Sequence, residues 1–285
     1  TLKVDAIRHN SATSDAITMA SDATCSARLT SIGGGQISHR NKFINGAMNI
    51  SQRATSFTST LTDGQYTLDR FAHIIRGTND SHYTQVSDHP DNFRKSMKVK
   101  CNSTYTPSAS DNAGFQSMLE GQDLQDLNFG SANANSFTVS FYAKSASQNN
   151  NHQYTFQIRT FPSGGATSRI KNFPFTVTSS WQRFTFTFEA NGGATSSNIK
   201  NDNTKSFEII WHLASGDTDK ADPITTWQTA TSMKSQTGMA NFMSSTSNEF
   251  YLTGVQLEVG STATDFEFRS RADEIAACQR YFVKQ

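Results

Sequence analysis

The densest acidic cluster in the sequence is the stretch SGDTDKADP, which contains Asp217, Asp219 and Asp222. Carboxylates at this spacing could supply the oxygen ligands of a calcium loop, or the acid pair of a glycan-cleaving enzyme. Stretches rich in Gly, Asp and Pro are more typical of solvated turns, in which Asp side chains bond to the local backbone. We rank a turn first, a weak calcium site second and a catalytic pair third.

The residue pattern gives little support for nucleophilic catalysis, a zinc site or a disulfide framework. The seven histidines are scattered, and none stands in a GxSxG or HExxH context. The cysteines, Cys25, Cys101 and Cys278, are far apart and form no CxxC motif, which disfavours zinc and a disulfide framework. The sequence therefore predicts no catalytic residues, no enzymatic activity and no cofactor beyond the weak calcium candidate.

Saccharide binding needs an aromatic surface for the apolar side of a sugar ring, with planar polar groups beside it. Trp227 is the best candidate for such an exposed platform, because its stretch ITTWQTATS lacks the apolar alternation of a core strand. Trp211 shares strand parity with Phe207 and Ile209, which predicts a place in the core.

The polar faces of two predicted strands supply the other candidate glycan-binding residues. Tyr142 and Lys144 alternate with apolar residues in SFTVSFYAKS, and Gln157 and Arg159 do so in QYTFQIRTF. If these strands are neighbours on the concave side of the protein, the four side chains line a groove. An ordinary solvated sheet face is the alternative, and the sequence leaves both open.

The elements that must position these residues are strands. Period-2 alternation or β-type composition recurs at 66–75, 96–102, 136–145, 153–161, 183–190 and 207–213, with no long helical period between them. Hydrophobic residues make up only 35% of the chain, yet Phe alone accounts for 21 residues. This composition predicts an all-β fold, a jelly-roll-type β-sandwich with an aromatic core, over residues 42–285.

The last predicted strand changes its apolar phase. Phe250 and Leu252 share one parity, whereas Val255 and Leu257 share the other, and Gly254 stands between them. A β-bulge at Gly254 would let both sets face the core. Burial of both faces is the alternative.

A short helix is predicted over 270–283. Ser270 is a candidate N-cap with Asp273 three residues later, a capping-box arrangement. A helix of about a dozen residues is marginal alone in water, so it must dock on its own sandwich or on a neighbouring subunit. Phe266 and Phe268, just before it, could help form the docking surface. The apolar stripe of the helix consists of Ile275, Cys278 and Phe282.

Residues 1–41 differ from the rest of the chain. Short extended pieces are separated by Ser- and Thr-rich turns, apolar residues are too sparse for a core, and SIGGGQIS follows as a flexible joint. Such a segment is either disordered or winds with copies of itself. We expect a shaft-like segment that forms a homotrimer.

The charge pattern limits the classes of partner. The formal net charge is +1 with no long charge run, so no global field attracts nucleic acid. No stretch approaches the roughly 20 apolar residues that span a bilayer, which predicts no membrane insertion.

The closing stretch YLTGVQLEVGSTATDFEFRSRADEIAACQRYF resembles the closing segment of tail-fibre and other virion appendage proteins of tailed bacteriophages. The resemblance spans about residues 41–285, and the sandwich also resembles jelly-roll carbohydrate-binding modules. Earlier stretches that agree in order are NKFINGAMNISQR (41–53), YTLDRF (66–71), LNFGSANANSFTVSFYAKS (127–145) and SSWQRFTFTFEA (179–190).

The resemblance implies a homotrimeric structural component of a phage virion. Its first implication is a receptor-binding tail fibre whose head contacts host cell-surface polysaccharide, with other virion or tail proteins as partners. A structural adaptor or a capsid-surface decoration protein is the alternative, and a glycan depolymerase is the weakest. The expected location is the virion.

Overall fold

The structure, a computed structural model, describes residues 38–284 except 79, 165–166, 190–198 and 230–234, together with short pieces between residues 4 and 27. One α-helix, α1 (Arg271–Gln279), is present in the described part of the chain, with 3-10 turns at Gly121–Leu127, Ser147–Asn149, Asp217–Asp219 and Phe242–Ser244. The strands are β1 (Ala6–Ile7), β2 (Ile17–Met19), β3 (Cys25–Ala27), β4 (Ser56–Phe57), β5 (Phe71–Arg76), β6 (Asp80–Val86), β7 (Ser96–Ser103), β8 (Asn112–Glu120), β9 (Phe137–Ser145), β10 (His152–Thr160), β11 (Arg169–Val177), β12 (Gln182–Phe188), β13 (Lys205–Ser215), β14 (Lys220–Ala221), β15 (Gln228–Thr229), β16 (Ser235–Gln236) and β17 (Glu249–Val259).

Two six-stranded antiparallel sheets form the sandwich. Sheet I has the order β12-β9-β17-β7-β6-β4, and sheet II has the order β15-β11-β10-β13-β8-β5. The chain crosses between the sheets at each step from β7 to β10, which is the jelly-roll pattern. The predicted all-β sandwich is confirmed.

Aromatic rings from both sheets meet in the core, as the alternation of the strands predicts. Trp211, from β13, is fully buried. Its ring stacks on Phe115 with centroids 5.1 Å apart and meets Phe141 of sheet I edge-on at 5.6 Å. Rings that interlock across the two sheets fix the sheets face to face, since such pairs add to the free energy gained by burial.

Gly254 produces the phase change in β17. The pairing of β17 with β9 shifts register between Thr253 and Gln256, and Gly254 has a φ of +64°. Leu252 and Val255, on either side, are both fully buried. The predicted bulge is present, and it lets both parities face the core. The alternative also holds, because the outward-pointing Gln256 and Glu258 are buried as well.

Helix α1 is shorter than the predicted 270–283. Its cap is the predicted one, because Ser270 Oγ accepts a hydrogen bond from the backbone N–H of Asp273 at 3.1 Å. The helix docks on its own sandwich: the Glu274 carboxylate accepts from the backbone N–H of Asn45, in the segment before β4. The docking site is therefore within the same chain.

The apolar stripe of the helix is only partly buried. Cys278 is buried, whereas Ile275 and Phe282 are half-buried. Phe282 follows the turn that ends α1, and the Arg53 guanidinium stands 3.8 Å from the centre of its ring. Phe266 and Phe268, expected to help form the docking surface, contact Phe93 instead.

Strands β1, β2 and β3 form a separate three-stranded antiparallel sheet. Much of the rest of the segment 1–41 lies outside the described residues, so the shaft-like trimerising segment and the boundary at 41/42 stay predictions. In the part of the chain that the structure describes, no helix is long and apolar enough to cross a membrane.

Candidate functional site

The predicted groove does not form, because its residues lie on opposite sides of the sandwich. Strand β9, with Tyr142 and Lys144, pairs with β12 and β17 in sheet I. Strand β10, with Gln157 and Arg159, pairs with β11 and β13 in sheet II. Each pair of side chains alternates with core residues and points away from the core, so the two pairs occupy opposite outer faces.

Trp227 is buried, and the expectation that it forms an exposed platform is wrong. Only 8% of the residue is exposed. Its ring meets Phe129 edge-on at 5.2 Å between centroids and lies 5.9 Å from the ring of Phe188. Alternation failed as a guide here because Trp227 belongs to a loop rather than to a core strand.

The loop that carries Trp227 packs on sheet II. We call residues 217–229 and 235–240 the covering segment. Ile224 packs against Ile170. The backbone N–H of Ile224 donates to Asn172 Oδ1 at 2.8 Å, and the backbone N–H of Asn172 donates to the carbonyl oxygen of Ile224 at 3.0 Å. The backbone N–H of Gln236 donates to Thr155 Oγ1 at 3.0 Å. These contacts cover side chains that strand parity alone would place in solvent.

Gln157 belongs to a buried polar network on this face. Its Oε1 lies 3.2 Å from His212 Nε2, and His212 Nδ1 lies 3.1 Å from Asn112 Oδ1. Burial lowers the pKa of His212 to about 3, so the ring is neutral. Arg159, further along β10, faces the Glu208 carboxylate at 3.9 Å. Both predicted residues of this face thus have partners within the protein.

The acidic cluster forms a turn, the first-ranked interpretation. Asp217–Asp219 is a single 3-10 turn, in which the exposed Asp217 pairs with Lys220 at 2.9 Å. Asp219 is buried and faces Arg76 at 3.8 Å, while Asp222 is exposed. Among the described residues, no three His, Cys, Asp or Glu side chains are placed to hold a metal ion. The weak calcium candidate is therefore not assembled.

On the outer face of sheet I, Lys144 lies in a polar patch around Asp88. Lys144 Nζ is 2.5 Å from Asp88 Oδ2, and Trp181 Nε1 donates to Asp88 Oδ1 at 3.0 Å. Lys144 Nζ also stands 4.8 Å from the centre of the Tyr251 ring. Although burial raises the pKa of Asp88, the two hydrogen bonds outweigh it and hold that pKa below its usual value.

Beside this patch lies a concave site that the sequence analysis does not predict. We call it the C-terminal pocket. It is a cavity of about 290 Å³ between the segments 41–50, 92–94 and 266–274. The volume lies near the lower end of the range for ligand pockets, roughly 300 Å³.

The floor of the pocket is built by the stretch NKFINGAMN. Asn45 has a φ of +61°, and its side chain closes the turn by bonding to both the N–H and the C=O of Ile50 at 2.9 and 2.8 Å. Gly46 lies flat on β17, where its C=O accepts from the N–H of Val255 at 2.9 Å. A Cβ at Gly46 would stand 2.1 Å from the Val255 oxygen, so only glycine permits this approach.

Three charged side chains fix the wall of the pocket. Glu267 Oε2 accepts from the backbone N–H of Asn41 at 2.8 Å, and Arg269 donates to the backbone oxygens of Asn41 and Phe43. Glu274 holds the N–H of Asn45 and lies 3.8 Å from Arg269. Burial raises the pKa of Glu274, against the opposing effects of Asn45 and Arg269. The charged groups of these three side chains therefore hold segment 266–274 against segment 41–45.

An aromatic cluster forms one side of the pocket. The ring centroid of Phe268 lies 4.8 Å from that of Phe266 and 5.2 Å from that of the buried Phe93. Phe93 in turn packs against Tyr142 at 5.3 Å, so Tyr142 supports the cluster from the sheet. Phe268 itself is 52% exposed, which leaves an apolar ring surface open to a ligand.

Two arginines complete the lining. Arg94 and Arg271 both line the cavity and both are exposed. In the described part of the chain, neither guanidinium has a hydrogen-bond or ion-pair partner. Asn92 adds an amide to the same lining. The pocket thus combines an open ring surface with planar polar groups, the combination that saccharide binding needs.

Sequence reasoning missed this pocket because its lining comes from three distant segments. The available signal was DFEFRSR, in which Phe266 and Phe268 alternate with polar residues just before Arg269 and Arg271. From the sequence alone, the two phenylalanines are expected to help form the docking surface of the helix. The structure brings them together instead with Phe93, more than 170 residues earlier.

No family model and no curated protein matches the chain. Among solved structures, the chain is similar to a family 11 carbohydrate-binding module from Clostridium thermocellum (14% identity, 72% of this chain and 97% of that chain, TM-score 0.38) and to a putative sugar binding protein from Bacteroides thetaiotaomicron (9%, 77% and 100%, TM-score 0.40). It is also similar to the enzymatically active domain of tailspike protein 4 from bacteriophage CBA120 (11%, 77% and 21%, TM-score 0.38). Similarities this distant leave the function to be argued from the site.

Proposed function

We propose that the chain is a saccharide-binding β-sandwich whose binding site is the C-terminal pocket. The observation that carries the proposal is the ring of Phe268, 52% exposed in a cavity that Arg94 and Asn92 also line. An exposed ring can pack on the apolar C–H face of a sugar, while guanidinium and amide groups bond to its hydroxyls.

The proposed setting is an appendage of a phage particle. It is supported by the resemblance of residues about 41–285 to tail-fibre and other virion appendage proteins. A pocket of about 290 Å³ holds only a small part of a polysaccharide, so each contact is weak. In the proposed homotrimer, three copies of the pocket would act together by avidity on a repetitive cell-surface glycan.

A structural adaptor is the second candidate function. The observation that favours it is on the small N-terminal sheet, where Ile7 and Met19 are 50% and 41% exposed. Large apolar side chains at the surface offer area for another subunit or for a second virion protein. This role is compatible with the sandwich serving as a structural unit that binds no ligand.

The experiment is a binding screen of the full chain on immobilised bacterial surface polysaccharides. We expect wild-type protein to be retained by at least one polysaccharide and Phe268→Ala to lose that retention. Val283→Ala, which trims another exposed apolar side chain at 55% exposure, is the matched control and should bind as wild type. No retention of wild type on any polysaccharide would favour the adaptor, and unchanged binding by Phe268→Ala would remove the pocket from the proposal.

The same polysaccharides test for turnover. We expect no release of reducing ends, because the two carboxylates of the pocket, Glu267 and Glu274, are bonded to backbone N–H groups of segment 41–45. Release by wild type that is lost in Glu274→Gln would make the chain a depolymerase.

A further inference from the structure

We infer that the C-terminal pocket selects acidic saccharides, with Arg94 and Arg271 pairing with a sugar carboxylate such as that of a uronic acid. The inference rests on the proposed function, because it names the class of saccharide that the same pocket takes. It concerns charge selectivity, which the ring of Phe268 cannot supply.

The inference rests on which charged side chains around the cavity are already paired. Five charged side chains line it, and three of them, Glu267, Arg269 and Glu274, are bonded to one another or to segment 41–45. The remaining two are both arginines. Neither has an ion-pair partner among the residues the structure describes, so the part of the lining that is left for a ligand is positive.

The outer faces of the two sheets offer a contrast. Lys144, on sheet I, lies 2.5 Å from the Asp88 carboxylate. Arg159, on sheet II, lies 3.9 Å from the Glu208 carboxylate. In these places the protein supplies the acid itself. At the C-terminal pocket it leaves the two arginines of the lining unmatched, so they give a concave surface a positive potential that attracts an anion.

The shape of the arginine side chain fits this ligand. A guanidinium presents parallel N–H donors that match the two oxygens of a carboxylate. The exposed ring of Phe268 beside it can hold the body of the same sugar. A neutral saccharide would use the ring and lose the charged pair, so the pocket discriminates between the two classes.

The test compares uronic acid-containing bacterial polysaccharides with the same polysaccharides after their carboxyl groups have been reduced to alcohols. Binding of the full chain is measured by surface plasmon resonance. We expect the native forms to bind more tightly than the reduced forms by about tenfold or more, since hydrogen bonds to charged groups are the strong ones. Added salt should weaken binding of the native forms more than binding of the reduced forms.

Substitutions assign the effect to the two arginines. Arg94→Gln and Arg271→Gln should each weaken binding of the native forms by about tenfold and leave binding of the reduced forms unchanged. Lys100→Gln removes an exposed cation of β7 outside the pocket and should change neither. The melting temperature of each variant should match wild type, because the replaced side chains are exposed.

The outcomes separate the two levels of the proposal. If polysaccharides bind equally before and after reduction, or if Arg94→Gln and Arg271→Gln bind as wild type, acid selection is wrong while saccharide binding stands. If no polysaccharide of either form binds, the proposed function itself fails. Loss of binding in Phe268→Ala without loss in either arginine variant would overturn acid selection. The pocket would then bind neutral sugars, and the two arginines would only be solvated beside it.

Discussion

The outer face of sheet II lies under the covering segment, whereas the outer face of sheet I borders the C-terminal pocket. Both faces carry polar side chains in alternation with core residues, and Gln157 and Lys144 looked equivalent in the sequence. Gln157 is fully buried in a network with His212, while Lys144 is half-buried and paired with Asp88. Strand parity therefore tells which way a side chain points, and the loops decide whether it reaches solvent.

The two regions also differ in how their charges are balanced. On sheet II the buried His212 is neutral, and it lies within hydrogen-bond distance of Asn112 and Gln157 beneath the covering segment. At the C-terminal pocket Arg94 and Arg271 have no partner among the described residues. Closed polar networks of the first kind stabilise a fold, and open polar groups of the second kind are available to a ligand.

Acid should produce the largest effect, through the buried histidines. Burial lowers the pKa of His212 to about 3 and that of His73 to about 4, both below the ordinary value of about 6.5. Between about pH 6.5 and the lowered pKa values, the two histidines are protonated in the unfolded chain but not in the folded one. The stability is therefore fully present above about pH 6.5 and is lost as the pH falls toward 4. The free energy of unfolding should drop by about 1.4 kcal/mol per pH unit for each histidine.

The measurement is urea denaturation at pH 7, 6, 5 and 4. In His212→Gln the slope of stability against pH should be shallower, because one titrating group is removed. His89→Gln, at an exposed position, should keep the wild-type slope. Equal slopes in all three proteins would show that His212 is accessible and that the covering segment does not close this face.

Trp227→Ala should cost about 3–5 kcal/mol in the free energy of unfolding, because it removes a buried ring packed against Phe129 and Phe188. Trp181→Ala is the matched control on sheet I. Its ring is only half-buried, so the cost should be about 1–2 kcal/mol. Equal costs measured by urea denaturation would mean that the two tryptophans are buried alike, and that the covering segment does not distinguish sheet II from sheet I.

The local residue pattern was enough to predict the sandwich, but it did not predict which strands pair with each other. Parity along β13 placed Trp211 in the core, and Gly254 marked the bulge, because these features depend on a few neighbouring residues. The groove failed because β9 and β10, consecutive in the chain, belong to different sheets. Pairing across sheets and the path of the covering segment are set by contacts between distant residues, which periodicity does not record.

The end of helix α1 shows the same limit at a smaller scale. Ser270 caps its start as predicted, because capping uses residues three apart. No glycine marks its end, and the apolar stripe continues to Phe282, so the prediction ran past Gln279. Phe282 lies beyond the helix, where its ring contacts Arg53, 229 residues earlier in the sequence.

Gly46→Ala tests the floor of the pocket. An added Cβ would overlap the backbone oxygen of Val255, which should cost about 1–3 kcal/mol and displace segment 41–50. Saccharide binding should fall with it. Gly64→Ala has open space around it but a φ of +75°, so it should cost about 1 kcal/mol and leave binding intact. Normal binding by Gly46→Ala would mean that the floor does not shape the site.

Phe268→Ala should lower the free energy of unfolding by only about 1 kcal/mol or less, because about half of the residue is exposed. Phe93→Ala, at the buried ring it contacts, should cost about 3 kcal/mol. Urea denaturation of the two variants measures both values. A large loss of stability in Phe268→Ala would mean that its ring serves the core and is not available to a ligand.

The most direct test is a crystal structure of the full chain with a fragment of the polysaccharide that binds best in the screen. We expect the sugar in the C-terminal pocket, with its ring on Phe268 and a carboxylate at Arg94 and Arg271. A fragment bound instead on the outer face of sheet II, against Arg159 and Glu208, would contradict the account, because that face would then be the open one.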